Sequence, residues 1–122
     1  MELLGVRVEN GKPVGDFDTF TIDDLYFAEA FRPKANHILP LFHTRKGTFT
    51  VLTTLGEHYE AFSKYECIKL LDSSSFANVN NIEYTRPDGR GAIAYFKDYP
   101  IPLYVSRDKK KYIRHLMTKS LW

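Results

Sequence analysis

Apolar and polar residues alternate with a period of two at the start of this chain. Val6 and Val8 flank Arg7, and Asn10-Gly11 follows as the pair that a tight hairpin with two positive φ angles requires. Residues 16–22 (DFDTFTI) repeat the alternation, and Leu25-Tyr26-Phe27 continues in strand-like composition. A basic, turn-forming loop, Arg32-Pro33-Lys34-Ala35-Asn36-His37, comes next. Residues 38–53 read as two strands about an Arg45-Lys46-Gly47 turn, with Phe49 and Val51 on one face and Thr48 and Thr50 on the other. Pro40 lacks an amide hydrogen, which predicts an edge or a bend for the first of these strands.

The period then changes. Thr54-Leu55-Gly56-Glu57 is a capping-box sequence, and Leu55, Tyr59 and Phe62 recur at helical spacing with Tyr65 near the same face. That stripe predicts a helix packed on a core, not a ligand box. Ser73-Ser74-Ser75 and Asn78-Val79-Asn80-Asn81 form a polar stretch interrupted by Phe76 and Ala77. Pro87-Asp88-Gly89 is a turn, and residues 92–96 (AIAYF) make a strand behind it. Tyr99-Pro100-Ile101-Pro102 must be extended, since each proline restricts its predecessor. From Asp108 a short basic helix is expected, with Tyr112, Ile113 and Leu116 turned inward. No repeat, linker or low-complexity tract interrupts the 122 residues, so the pattern predicts one domain over 1–122, mainly β with a minor α part.

Composition narrows the function classes. At 43% hydrophobic and 15% aromatic residues the chain is too apolar for a disordered tail. It has no apolar run of the roughly 18 residues that would suggest a membrane span. The first residues, Met1-Glu2-Leu3-Leu4-Gly5, carry no signal-peptide pattern, and the lone Cys67 cannot close an internal disulfide. A cytoplasmic protein is the expectation, with Cys67 as a small buried hydrophobe. Charge is uneven. Residues 1–31 hold seven acids and two bases (−5), the remainder fifteen bases and eight acids (+7). This polarity permits polyanion binding without establishing it.

Catalytic or metal chemistry finds little footing. No Ser-His-Asp or Cys-His arrangement can be argued from spacing, and no glycine-rich phosphate loop is present. His43, His58 and His115 lack metal-ligand spacing. No enzyme activity, cofactor or metal is expected. Asn78 reads first as a structural residue bonded to its own loop.

The order of features resembles a known family. Ile22-Asp23-Asp24-Leu25-Tyr26-Phe27-Ala28-Glu29 is similar to the acidic first strand of LytTR-type DNA-binding domains, found in bacterial transcription regulators. Phe76-Ala77-Asn78-Val79 through Ile82 resembles the family's Ile-Val-Asn-Leu segment. Ile101-Pro102 with Val105-Ser106-Arg107 resembles its closing Ile-Pro-Val-Ser-Arg segment, with Leu103-Tyr104 inserted. The likeness covers roughly residues 4–118.

The resemblance implies an elongated arrangement of short β-strands with one short helix. It also implies a transcriptional regulator whose loops enter the major groove of double-stranded DNA, in tandem on promoter-type direct repeats. A homodimer on DNA or a regulatory protein partner is further implied. Family contact positions correspond to His37, with Lys34 on the same loop; to Ser73 and Ser74; and to Arg107, with Lys109 and Lys110 adding charge nearby. An arginine suits a guanine edge or a phosphate because its fork donates two parallel hydrogen bonds. The lysines act as point charges on the backbone.

One departure matters. Where relatives carry an arginine and then a His-Arg-Ser or His-Asn-Ser run, this chain has Leu70 and then Asp72-Ser73-Ser74. A carboxylate at a duplex face repels phosphate, although it can accept from a cytosine amine. The alternative reading is therefore a degenerate LytTR-like protein-interaction module, or antagonist, that does not itself read DNA.

Overall fold

The computed structural model describes the backbone of residues 2–34, 37–51 and 55–113, and side chains within 2–30, 38–51 and 58–113. Strands β1 (Glu2–Glu9) and β2 (Lys12–Thr21) form the opening hairpin. Asn10 and Gly11 stand at φ 52° and 77° between paired Glu9 and Lys12, as the Asn-Gly pair predicts. A 3-10 turn, Ile22–Asp24, leads into β3 (Leu25–Lys34), which returns as β4 (His37–Thr44) and β5 (Gly47–Thr50). Helix α1 (Leu55–Phe62) follows, then β6 (Ile68–Asp72), β7 (Ser75–Asn78), a 3-10 turn Val79–Asn81, β8 (Ile82–Asp88), β9 (Gly91–Phe96) and β10 (Leu103–Val105). A 3-10 turn, Arg107–Tyr112, closes the described chain.

These strands make a seven-stranded sheet in the order β2-β1-β5-β4-β3-β7-β6 and a three-stranded sheet in the order β10-β9-β8. Every pairing is antiparallel. The large sheet is buried on both faces at its centre. One face meets the small sheet through Tyr26, Phe27, Leu71 and Ala77 packed on Ala92, Ala94, Phe96, Leu103 and Val105. The other meets α1 through Phe42, Phe49, Phe62, Ile68 and Phe76. Double burial explains why Leu25-Tyr26-Phe27-Ala28 runs apolar without alternation, since such strands need no polar face. Gly5 allows β1 to cross this core: a Cβ there would lie 2.7 Å from Phe49 Cβ and 3.2 Å from the Phe20 ring.

Several expectations change in the folded chain. The polar stretch about Ser75 and Asn78 is strand β7, wholly buried, paired with β3 on one side and β6 on the other. Its side-chain composition hid it because Asn78 satisfies its amide inside the protein. Pro40 lies in an interior strand, yet β5 pairs β4 only over Leu41–Thr44, so β4 is a local edge at the proline. Thr50 is buried beside Phe49, its hydroxyl donating to the Pro40 carbonyl at 2.8 Å. The turn after β8 narrows to Gly89-Arg90, between paired Asp88 and Gly91. The closing helix is a 3-10 turn with Ile113 buried. Thr54 and Leu116 lie outside the described residues.

Candidate nucleic-acid interface

Strand register sends three distant segments to one end of the large sheet. β7 pairs β3 as far as Ser75 opposite Glu29. β3 continues five residues further, to Lys34 opposite His37, so the β3–β4 tip projects up to roughly 16 Å beyond the start of β7 at about 3.3 Å per residue. The β6–β7 turn, Ser73-Ser74, points the same way because β7 is antiparallel to β3. The third segment arrives from the small sheet. After β10, the Ser106 amide donates to the Leu71 carbonyl at 2.9 Å, which sets Arg107 beside the same turn. The side chains of Lys34 and His37 lie outside the described residues, so their backbone positions alone are placed.

Within the turn, the Asp72 carboxylate is the organiser. Its Oδ1 accepts the Ser73 amide at 2.6 Å and the Ser73 hydroxyl at 3.4 Å. Ser73 and Ser74 are both exposed, and the Ser73 hydroxyl has Asp72 as a nearby acceptor. Asp72 holds the start of the turn by accepting from the next residue's amide, and it places a negative charge there.

The closing segment supplies the positive charge. Arg107 is exposed, and Asp108 beside it accepts from the Ser106 hydroxyl at 2.9 Å. That hydrogen bond, a backbone amide and the Lys109 and Lys111 charges hold the Asp108 carboxyl below the usual range. Lys109 lies 3.9 Å from Asp108, so part of its charge is spent locally, and Lys110 is half-buried. The turn Arg107–Tyr112 runs back along β6: the Tyr112 ring carries the Lys69 ammonium at 5.4 Å and the Lys111 ammonium at 5.3 Å. Lys109 and Lys110 follow Arg107 within this turn. Lys69 is a cation that sequence reasoning overlooked. Its one signal was its place immediately before Leu70, the position where relatives carry arginine.

The asparagines are structural. Asn78 Oδ1 accepts the Asn80 amide at 3.0 Å and its Nδ2 donates to the Ile22 carbonyl at 2.9 Å. Asn81 Nδ2 donates to the Asp23 and Leu25 carbonyls at 3.0 and 2.7 Å, while its Oδ1 accepts from Arg45 at 2.9 Å. These bonds close the end of the sheet opposite the Ser73-Ser74 turn. Among the described residues no three of His, Cys, Asp and Glu converge as metal ligands, and no helix is long and apolar enough to cross a membrane. Cys67 is half-buried and not fully enclosed as expected, and the burial it has pushes its thiol up, away from nucleophilic reactivity.

No protein-family model matches the chain, and no curated protein matches it in sequence. Its three-dimensional structure does find a counterpart. The LytTr DNA-binding domain of a methyl-accepting/DNA response regulator from Bacillus cereus superposes with a TM-score of 0.67. The match covers 92% of this chain and 93% of that one, at 18% identity. The chain has the LytTr fold. The two-sheet arrangement of ten strands, with α1 against the outer face of the larger sheet, is thus a LytTr architecture over nearly its whole length.

Proposed function

We propose that this chain is a double-stranded DNA-binding transcriptional regulator that reads its site from the end of the large sheet where the β3–β4 tip, the β6–β7 turn and Arg107 meet. The observation that supports this reading is that convergence, joined to the cationic turn after β10. Arg107, exposed and at the start of that turn, grips a guanine edge or a phosphate bidentately. Lys109 and Lys110, along the sheet edge, follow the phosphate backbone. The β3–β4 tip, carrying Lys34 and His37, reaches a neighbouring stretch of groove, and Ser74 contacts backbone or base. Occupation of direct repeats in tandem fits two copies facing the same way along the duplex.

A second reading is favoured by one feature, the Asp72 carboxylate in the middle of the proposed surface. It describes a LytTr-fold module that binds a regulatory protein partner and no longer reads DNA. Fluorescence anisotropy with the duplex upstream of the protein's own gene, against a scrambled duplex over a salt series, separates the two. Specific reading gives tighter binding to the native duplex and a steep fall with salt. Absence of binding at low salt overturns the DNA reading and leaves the protein-partner module.

A further inference from the structure

A hydrogen-bonded cluster built on the buried His43 lies outside this surface. His43, 4% exposed, stacks on Phe27 with ring centroids 4.1 Å apart. Its Nε2 lies 2.8 Å from Glu29 Oε2 and its Nδ1 2.5 Å from the Tyr99 hydroxyl. Tyr99 in turn stacks on Tyr26 at 4.5 Å. Burial, then the charges of Glu29 and Tyr26, push the Tyr99 phenol up to about 12, so it keeps its proton at physiological pH. With the phenol donating to Nδ1, Nε2–H donates to the Glu29 carboxylate, so one arrangement satisfies all three groups.

What these residues join gives the cluster its meaning. Tyr99 belongs to residues 97–102, which connect β9 to β10 without pairing to any strand. Pro100 and Pro102 offer no amide, and Asp98 stands at φ 57°. Lys97 is tied to the 3-10 turn before β8, through its amide to the Asn81 carbonyl and its ammonium to the Asn80 carbonyl. The Tyr99 side chain ties the segment to the large sheet. Downstream come only the three residues of β10 before Ser106 and Arg107. On the other side, Glu29 stands opposite Ser75, and β3 and β4 are the two strands that build the Lys34–His37 tip.

We propose that Tyr99, held by His43, is a positioning residue for the DNA interface, fixing the segment that delivers Arg107 against the two strands that carry the β3–β4 tip. The inference rests on the DNA-binding reading for its effect on affinity, and on geometry alone for its effect on the protein. Tyr99→Phe keeps the ring stack and removes the hydroxyl; His43→Gln keeps a polar group in the same place as a second variant should the first fail to fold.

Two measurements on the full chain test it. In DNA-free protein, hydrogen exchange at residues 103–113, including the Ser106 amide, is faster in either variant than in wild type, while exchange in β1 and β2 is unchanged. With the native duplex, Tyr99→Phe weakens binding by about three- to tenfold, the range one hydrogen bond of ordinary net strength spans, with the salt slope unaltered. A double-mutant cycle supplies the readout that a merely structural role leaves untouched: Arg107→Ala costs less affinity in the Tyr99→Phe background than in wild type. Additive losses, or unaltered affinity in a folded variant, overturn the positioning role. If wild type binds no duplex, the DNA reading fails by itself, and exchange at residues 103–113 still decides whether Tyr99 holds them; unchanged exchange in both variants overturns the tether.

Discussion

The Ser106 amide and the Leu71 carbonyl, 2.9 Å apart, form the bond by which the small sheet hands its last strand to the large one. Ser106 follows a three-residue strand, β10, and Leu71 is fully buried in the core between the sheets. The donor is anchored by a short strand and the acceptor by a packed one, so the acceptor sets the position. Arg107, next in sequence, is thereby carried to the Ser73-Ser74 turn.

Loss of the Arg107 side chain tests that placement. Arg107→Ala is expected to cost about 1–3 kcal/mol of binding to the native duplex and to relax preference at one base position. Lys110→Gln is expected to weaken all sequences alike and to lower the salt slope by about one. Anisotropy titrations over a set of single-base variants and salt concentrations measure both. Equal losses on every sequence for Arg107→Ala would reassign that residue to a phosphate.

Asp72→Asn separates the carboxylate's two tasks. Asparagine still accepts the Ser73 amide, so the turn persists, but the charge facing phosphate is gone. Affinity for any duplex is expected to rise by about 1 kcal/mol or less at low salt, with the gain fading as salt screens the site. A fall in affinity confined to the native sequence would instead place Asp72 on a cytosine amine.

Asn81 carries a stability prediction at the opposite end of the fold. Asn81→Ala leaves the Asp23 and Leu25 carbonyls without its donors and Arg45 without its acceptor. The expected cost is about 1–3 kcal/mol, carried mainly by the buried Leu25 carbonyl, which loses a partner that solvent does not replace. The exposed neighbour Asn80→Ala is expected to stay within about 0.5 kcal/mol. Urea unfolding of the two variants, read at constant m-value, makes the comparison.

Tyr99 predicts a difference in alkaline stability. Its pKa is raised in the folded chain from 10.0 to about 12, so folding favours the protonated phenol. That contribution is fully present below pH 10 and is lost as pH rises through about 12. Wild type should therefore lose more stability than Tyr99→Phe between these values, as thermal unfolding across the window would record. Parallel curves would show that the phenol ionises as freely in the folded chain as in the unfolded one.

Much of the architecture was legible before folding, because it rests on neighbours in sequence. Asn10-Gly11 needs only its own two φ angles to make the first hairpin, and the Tyr59-Phe62 spacing needs only the helical period to present one face. The likeness of Phe76–Ile82 and Val105-Ser106-Arg107 to LytTR segments agrees with the fold, which is shared at 18% identity. Strand β7 was hidden because Ser75 and Asn78 look like loop residues until a carbonyl from Ile22 accounts for the asparagine amide. Pro40 sits at an edge only locally, because β5 stops pairing at Leu41 while β4 continues past it inside the sheet.

What the sequence determined by itself, then, was the class of the fold and its first hairpin turn, through steric and periodic rules acting over a few residues. Only the tertiary structure decided that Ser73, Arg107 and the Lys34–His37 tip share one end, and that Glu29, His43 and Tyr99 form one hydrogen-bonded chain. Register and sheet order place those residues, and both follow from burying the large sheet on two faces at once. That burial is a sum over contacts distant in sequence, which no local pattern encodes.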